Sequence, residues 1–214
     1  MRLANHSFVG VLGLGALALL GGSGCGSSEP MMMMEAKLNQ KLVGTWKSSA
    51  CELGIMSSAM LPVSIYYQRE YKFTETDWSA TVSIFVDPLC ATTALKTNIK
   101  GTYTVGNPAT APAGATELDF AYAERRMQLL QPQAALLLNG IMCGGMASWT
   151  AGPDVDVSTK GCLPLMPSNV DCPKEFDIAK LDGTTLTFGA RPMTPDGLCK
   201  ARPTTLSTTT LTKQ

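Results

Sequence analysis

The feature that most constrains this chain is a set of segments in which apolar and polar side chains alternate one for one. Val63, Ile65, Tyr67, Tyr71 and Phe73 alternate with Ser64, Gln68, Glu70, Lys72 and Thr74. Trp78, Ala80, Val82, Ile84 and Val86 alternate with Ser79, Thr81 and Ser83. Ile99, Gly101, Tyr103 and Val105 repeat the pattern, as do Leu118, Phe120 and Tyr122. A period of two places one apolar row on one face of an extended strand and the polar side chains on the other. Glu75-Thr76-Asp77, Asp87-Pro88 and Gly106-Asn107-Pro108 punctuate the runs, and the short gap between Phe73 and Trp78 suits a hairpin. A half-polar sheet has to cover its apolar face. It either bends onto itself as a barrel or half-barrel, or is covered by a helix and long loops.

The remaining segments are less regular. A helix is predicted from Pro132 to Ile141, with Ala134, Leu137, Leu138 and Ile141 on one face, ended by Gly140 and Gly144-Gly145. Residues Gly152 to Pro173 read as a long loop region, and strand-like runs return at Phe176–Leu181, Thr184–Phe188 and Thr204–Thr210. The expected fold class is mainly β: a bent antiparallel sheet or barrel-like domain with one short helix and disulfide-rich loops.

The N-terminus reads as an address. Arg2 is followed by the apolar run Phe8–Leu20, too short for the about 20 residues a membrane span needs but suited to an export signal. Ser23, Gly24 and Cys25 resemble the end of a bacterial lipobox, in which the cysteine becomes the lipidated first residue. Gly22 departs from that pattern, which prefers leucine. Gly26 after the cysteine resembles an outer-membrane sorting signal. The expected organisation is a lipoprotein signal peptide over residues 1–24, lipidated Cys25 and a tether over 25–37, and one domain over 38–214. The run Met31–Met34 is read as tether rather than a copper tract, because four consecutive residues of a flexible tail do not converge on a metal.

Six further cysteines, Cys51, Cys90, Cys143, Cys162, Cys172 and Cys199, then remain. An even number in an exported chain reads as disulfides, and no C-x-x-C supports a redox or zinc motif. Six cysteines pair in fifteen ways, among which the sequence does not choose. One pairing is Cys51–Cys90, Cys143–Cys199 and Cys162–Cys172, the last closing a short proline-containing loop.

Composition narrows the function. The lone histidine, His6, lies in the export signal, so a mature chain has no imidazole for triads, HExxH sites or proton shuttling. No P-loop, G-x-S-x-G or dinucleotide fingerprint occurs in the mature chain. With 17 Lys plus Arg against 17 Asp plus Glu, no basic field exists to hold nucleic acid. The expectation is a non-enzymatic protein with neither cofactor nor metal.

Leu42-Val43-Gly44-Thr45-Trp46 is similar to the Gly-x-Trp opening of lipocalin-like barrels. A longer series follows: Cys51-Glu52, the aromatics Tyr66, Tyr67, Tyr71 and Phe73, Asp87-Pro88-x-Cys90, Gly101-x-Tyr103 and Gly114 to Leu118. It continues with Cys143-Gly144, Trp149-x-x-Gly152, Gly161-Cys162, Cys172 and Leu198-Cys199-x-x-Arg202-Pro203-Thr204. Over about residues 40–211 this order resembles the domain of the adenomatosis polyposis coli down-regulated family, whose animal members are cell-surface Wnt antagonists. The resemblance implies a bent, barrel-like β domain with an apolar pocket for an acyl chain. Animal members carry two copies and a C-terminal anchor, so the fold and the apolar ligand are carried over here and the signalling role is not.

The candidate ligand-binding residues are Trp46, Tyr67, Tyr71, Phe73, Trp78, Val82, Ile84, Phe120 and Tyr122, each of which serves either as pocket wall or as core. Met127, Met142 and Met146 are read as an adaptable mouth. Asp154-x-Asp156 is read as a solvated turn rather than a calcium loop, Arg125-Arg126 as an exposed strand end, and Arg202 as holding the terminal strand. The expected protein is an outer-membrane lipoprotein that holds a hydrophobic ligand or lipidated protein and meets the membrane through its lipid. The alternatives are a structural or interaction module with a filled core, and a hydrolase working through paired carboxylates. An interior plugged solid, or lined with ionisable groups, argues against the carrier.

Overall fold

Alternation over four long segments produces four long strands, and their twist closes the sheet. The computed structural model describes residues 37–57, 62–163, 165–192 and 196–214, with side chains described outside 55–63. The export signal, Cys25 and most of the tether lie outside the described residues. The strands are β1 (Gly44–Ser48), β2 (Glu52–Ser57), β3 (Pro62–Phe73), β4 (Asp77–Phe85), β5 (Thr93–Pro108) and β6 (Thr116–Leu129). After them come β7 (Asp154–Asp156), β8 (Lys174–Asp182), β9 (Thr185–Phe188) and β10 (Leu211–Lys213). Neighbours pair antiparallel in the order β1-β10-β9-β8-β6-β5-β4-β3, and β1 pairs β3, so eight strands form a closed barrel.

Two short strands share a longer neighbour rather than joining the ring. β1 pairs one half of β3 and β2 the other: Gly44 opposes Phe73, and Glu52 opposes Tyr67. β7 likewise pairs Arg126–Gln128 of β6 beyond the stretch that β8 covers. Beyond the reach of β1 the ring is not hydrogen-bonded all round. Among the described residues β2 has no second strand partner, and the segment Leu206–Thr209 faces that gap before β10 begins.

A bulge sets the phase of β6. The β5–β6 register shifts between Lys100 and Gly101, leaving Ala123 unpaired between Tyr122 and Glu124. A Cβ on Gly101 would lie 1.8 Å from the Ala121 carbonyl oxygen, so only glycine fits this close approach. Leu118, Phe120 and Tyr122 face inward before the bulge; Arg125, Met127 and Leu129 face inward after it.

Two apolar clusters fill much of the interior. The first, at the end capped by α1 (Leu38–Leu42), packs Leu42, Trp46, Tyr71, Phe73, Trp78, Tyr103, Leu118, Phe120, Leu186, Phe188 and Leu211. Its rings interlock edge to face and tilted, as aromatic quadrupoles favour: Phe120 lies 4.7 Å from Trp78, and Phe73 lies 5.2 Å from Tyr103. The second gathers Leu95, Met127, Leu129, Leu138, Trp149, Val157 and Met166 beneath the loops between β6 and β8. The predicted helix forms as a 3₁₀ turn (Pro132–Ala134) leading into α2 (Ala135–Gly140). Only Leu138 is buried on it, whereas Leu137 is exposed because α2 lies against the loops rather than across the sheet.

The disulfides correct two of the three bridges in the pairing above. Cys51–Cys90 forms as stated there, but the others are Cys143–Cys162 and Cys172–Cys199. Cys143 and Cys162 belong to the second apolar cluster, while Cys172 lies just before β8 and is bridged to α3 (Gly197–Lys200). The proline-rich spacing of 162 and 172 carries no such information. The terminal strand also lies later than expected. Residues 204–210 contribute only a bridge from Leu206 to Gly189, and the strand itself is 211–213.

Candidate functional site

Eight strands leave an interior that side chains can just fill or that holds one small ligand. Here one half is filled by side chains and the other leaves a recess. The aromatic cluster plugs one end. Above it lies a cavity of about 690 Å³ whose floor is Tyr71, Trp78, Ala80 and Ile99. Ile65, Val82 and Ile84 from β3 and β4 form an apolar wall, with Leu165, Met166, Leu198 and Leu206 contributed by loops and α3.

Five of the nine sequence candidates line this cavity: Tyr67, Tyr71, Trp78, Val82 and Ile84. Trp46, Phe73 and Phe120 lie in the plugged half as core, and Tyr122 packs against that core. None of the proposed methionines lines it. Met127 is buried in the second cluster, Met146 packs against it, Met142 is exposed, and Met166 reaches the cavity instead.

The cavity is not uniformly apolar, which sequence reasoning did not anticipate. Arg69, Arg125, Arg191 and Glu175 also line it. Arg69 points inward from β3 between Tyr67 and Tyr71. Its Nε and Nη2 donate to the two carboxylate oxygens of Glu52 at 2.9 and 2.8 Å, and Nη2 also donates to Thr209 Oγ1 at 2.9 Å. Ser48 Oγ donates to Glu52 in turn. This two-pronged pair is buried on both sides and ties β2, β3 and the segment before β10 together beside the gap in the ring.

Arg125 corrects the reading of an exposed strand end. Only Arg126 is on the outer face, where it pairs with Asp154 and Glu124. The bulge turns Arg125 inward and leaves it 1% exposed, stacked 3.7 Å above the Tyr122 ring, with its Nη atoms donating to the Pro167 and Cys172 carbonyls. Its Nε has no acceptor. Burial holds this guanidinium below its ordinary pKa. Burial also raises the hydroxyls of Tyr67, beside Glu52, and of Tyr122, beside Glu175.

Glu175 and Asp177 project inward from β8, opposite Phe120 and Leu118. Arg191 Nη1 donates to Glu175 Oε2 at 3.2 Å. Asp177 is fully buried: Oδ1 accepts the Ile178 and Gly189 amides at 2.7 and 3.0 Å, and Oδ2 has no partner. Burial pushes its pKa up to about 6. Folding therefore favours the protonated acid, and this residue's contribution to stability falls as pH rises from about 4 to about 6, then stays low. A displacement of that size corresponds to about 3 kcal/mol. Asp177→Asn is expected to remove this fall, gaining melting temperature relative to wild type above pH 6 but not at pH 4. Parallel melting curves for the two proteins across that range would show instead that Asp177 does not titrate with folding.

The other sequence motifs resolve without a site. Asp154 and Asp156 form β7 rather than a turn, with Asp154 paired to Arg126 and Asp156 capping the Ser158 amide. Cys172, Glu175 and Cys199 converge as metal ligands would, but the two sulfurs are spent on a bridge. Arg202 does not hold the terminal strand. It donates to the carbonyls of Leu118 and Asp177 and to Asp119, stapling β6 to β8. No family model matches the sequence.

Proposed function

We propose that this chain is a lipid-anchored cell-envelope protein whose barrel binds a ligand with a long apolar chain, either a free acyl chain or the acyl group of a lipidated partner, without catalysis. The observation that carries this reading is the recess above the aromatic cluster. Its cavity of about 690 Å³ has an apolar wall of β3 and β4 side chains, a size inside the about 300–1,000 Å³ range of small-molecule sites. Covering an acyl chain there contributes about 0.8 kcal/mol per methylene. The resemblance to the adenomatosis polyposis coli down-regulated domain supports the same ligand class. The lipobox-like segment ending at Cys25 supports an anchor in the outer membrane, and the balanced charge gives nucleic acid no foothold.

Extraction of purified protein with organic solvent is expected to release a lipid, and the delipidated protein is expected to take up a fluorescent fatty acid saturably, one per chain. The plugged aromatic half and the ionisable lining of Arg69, Arg125, Arg191 and Glu175 both argue against the carrier and favour a second reading, a purely structural or interaction module. No uptake by the delipidated protein would sustain that reading and overturn the first.

A further inference from the structure

We infer that the ligand is an amphiphile with a free carboxylate and that Arg191 is the residue that reads it, an assignment that rests on the carrier reading above. Arg191 combines two properties that rarely coincide. Its charge interacts with Glu175, Tyr71, Asp177 and Tyr122, all inward-facing groups of the barrel. Yet 49% of its side chain is exposed. Arg191 lines the cavity and also reaches the surface groove of Pro192, Gly197 and Pro203 beside it, which places it where the cavity lining meets solvent.

Its existing partner leaves capacity over. Glu175 engages a single guanidinium nitrogen of Arg191, and a guanidinium offers five N–H donors. The other two cavity arginines are differently occupied. Arg69 is held by both oxygens of Glu52, and Arg125 is enclosed, with backbone carbonyls on its Nη atoms and no carboxylate in contact. The lining thus presents three guanidiniums and one carboxylate; Glu52 and Asp177 stand behind that surface. Asp177 also acts on Arg191 but stands behind the cavity surface, so the N–H donors that Glu175 leaves unused are the ones a ligand in the cavity meets. The floor and the β3–β4 wall are apolar while Arg191 and Glu175 lie on another part of the lining, so a bound molecule that satisfies both has an anionic head and an apolar tail. A carboxylate matches the planar fork of the arginine donors that remain. An ester-linked acyl group brings the tail but no charge.

The test is displacement of a neutral environment-sensitive dye from delipidated protein at pH 8 by lauric acid, lauryl alcohol and methyl laurate. The acid is expected to bind about tenfold or more tighter than the two neutral analogues, as a hydrogen-bonded charge pair provides. Arg191→Gln should bring the acid to the level of the alcohol, with an unchanged circular dichroism spectrum reporting that the variant is folded. Arg191→Lys, which keeps the charge, should retain most of the preference. Equal binding of acid and alcohol to wild type overturns the carboxylate assignment and leaves the carrier reading standing. A preference that survives Arg191→Gln overturns the role of Arg191. Failure of all three to bind, with no dye uptake, overturns the carrier reading and this assignment together.

Discussion

Reduction of the three disulfides is expected to unfold the protein at physiological temperature without added denaturant. The bridges close loops of 39, 19 and 27 residues, and on the chain-entropy account each stabilises by about 3–4 kcal/mol. Together they approach about 10 kcal/mol, comparable with the about 5–15 kcal/mol by which whole domains are stable. Their placement explains why the barrel depends on them. The region between β6 and β8 contributes only short elements, and its cluster of Leu138, Trp149, Val157 and Met166 is gathered around Cys143–Cys162. Circular dichroism of the native protein with and without a strong thiol reductant tests this. An unchanged melting temperature would mean that the packed β core alone suffices.

Removing the inward arginine of β3 should produce the next largest loss. Arg69→Ala leaves the Glu52 carboxylate, itself 4% exposed, with Ser48 in place of its bidentate guanidinium partner, and it also removes the tie to Thr209. Breaking one side of a buried pair typically costs about 3–5 kcal/mol. The double change Glu52→Leu with Arg69→Met is expected to recover a large part of that, because no uncompensated charge remains. Urea denaturation of the two variants checks both statements. If the double variant is no better than the single one, then the tie to Thr209, rather than the charge, holds this corner of the barrel.

The strands were legible because four of them keep one buried face. Phe73, Trp78, Tyr103 and Phe120 all face the core that their alternation predicts. Strand β8 was less so. Glu175 and Asp177 face inward while Phe176 lies under Arg202 and Ile178 is buried on the opposite face. A strand buried on both faces loses the polar-apolar rhythm. The charged part of the cavity went unread because polar residues in a strand are taken to point outward. Two signals could nevertheless have found it. Arg69 occupies the gap in the inward row between Tyr67 and Tyr71. The inward residues of β6 run even-numbered to Tyr122 and odd-numbered from Met127, and that change of phase requires a bulge that puts Arg125 inside. Arg191 carries no such mark, since it follows β9 in a segment without alternation, and the disulfide partners were set by tertiary proximity alone.

The unbonded stretch between β2 and Leu206–Thr209 gives the barrel an unusual mechanical property. Where the eight ring strands pair, widening the wall means breaking a ladder of backbone hydrogen bonds. Along this slit it means releasing only side-chain clasps, chiefly Arg69 with Glu52 and Thr209.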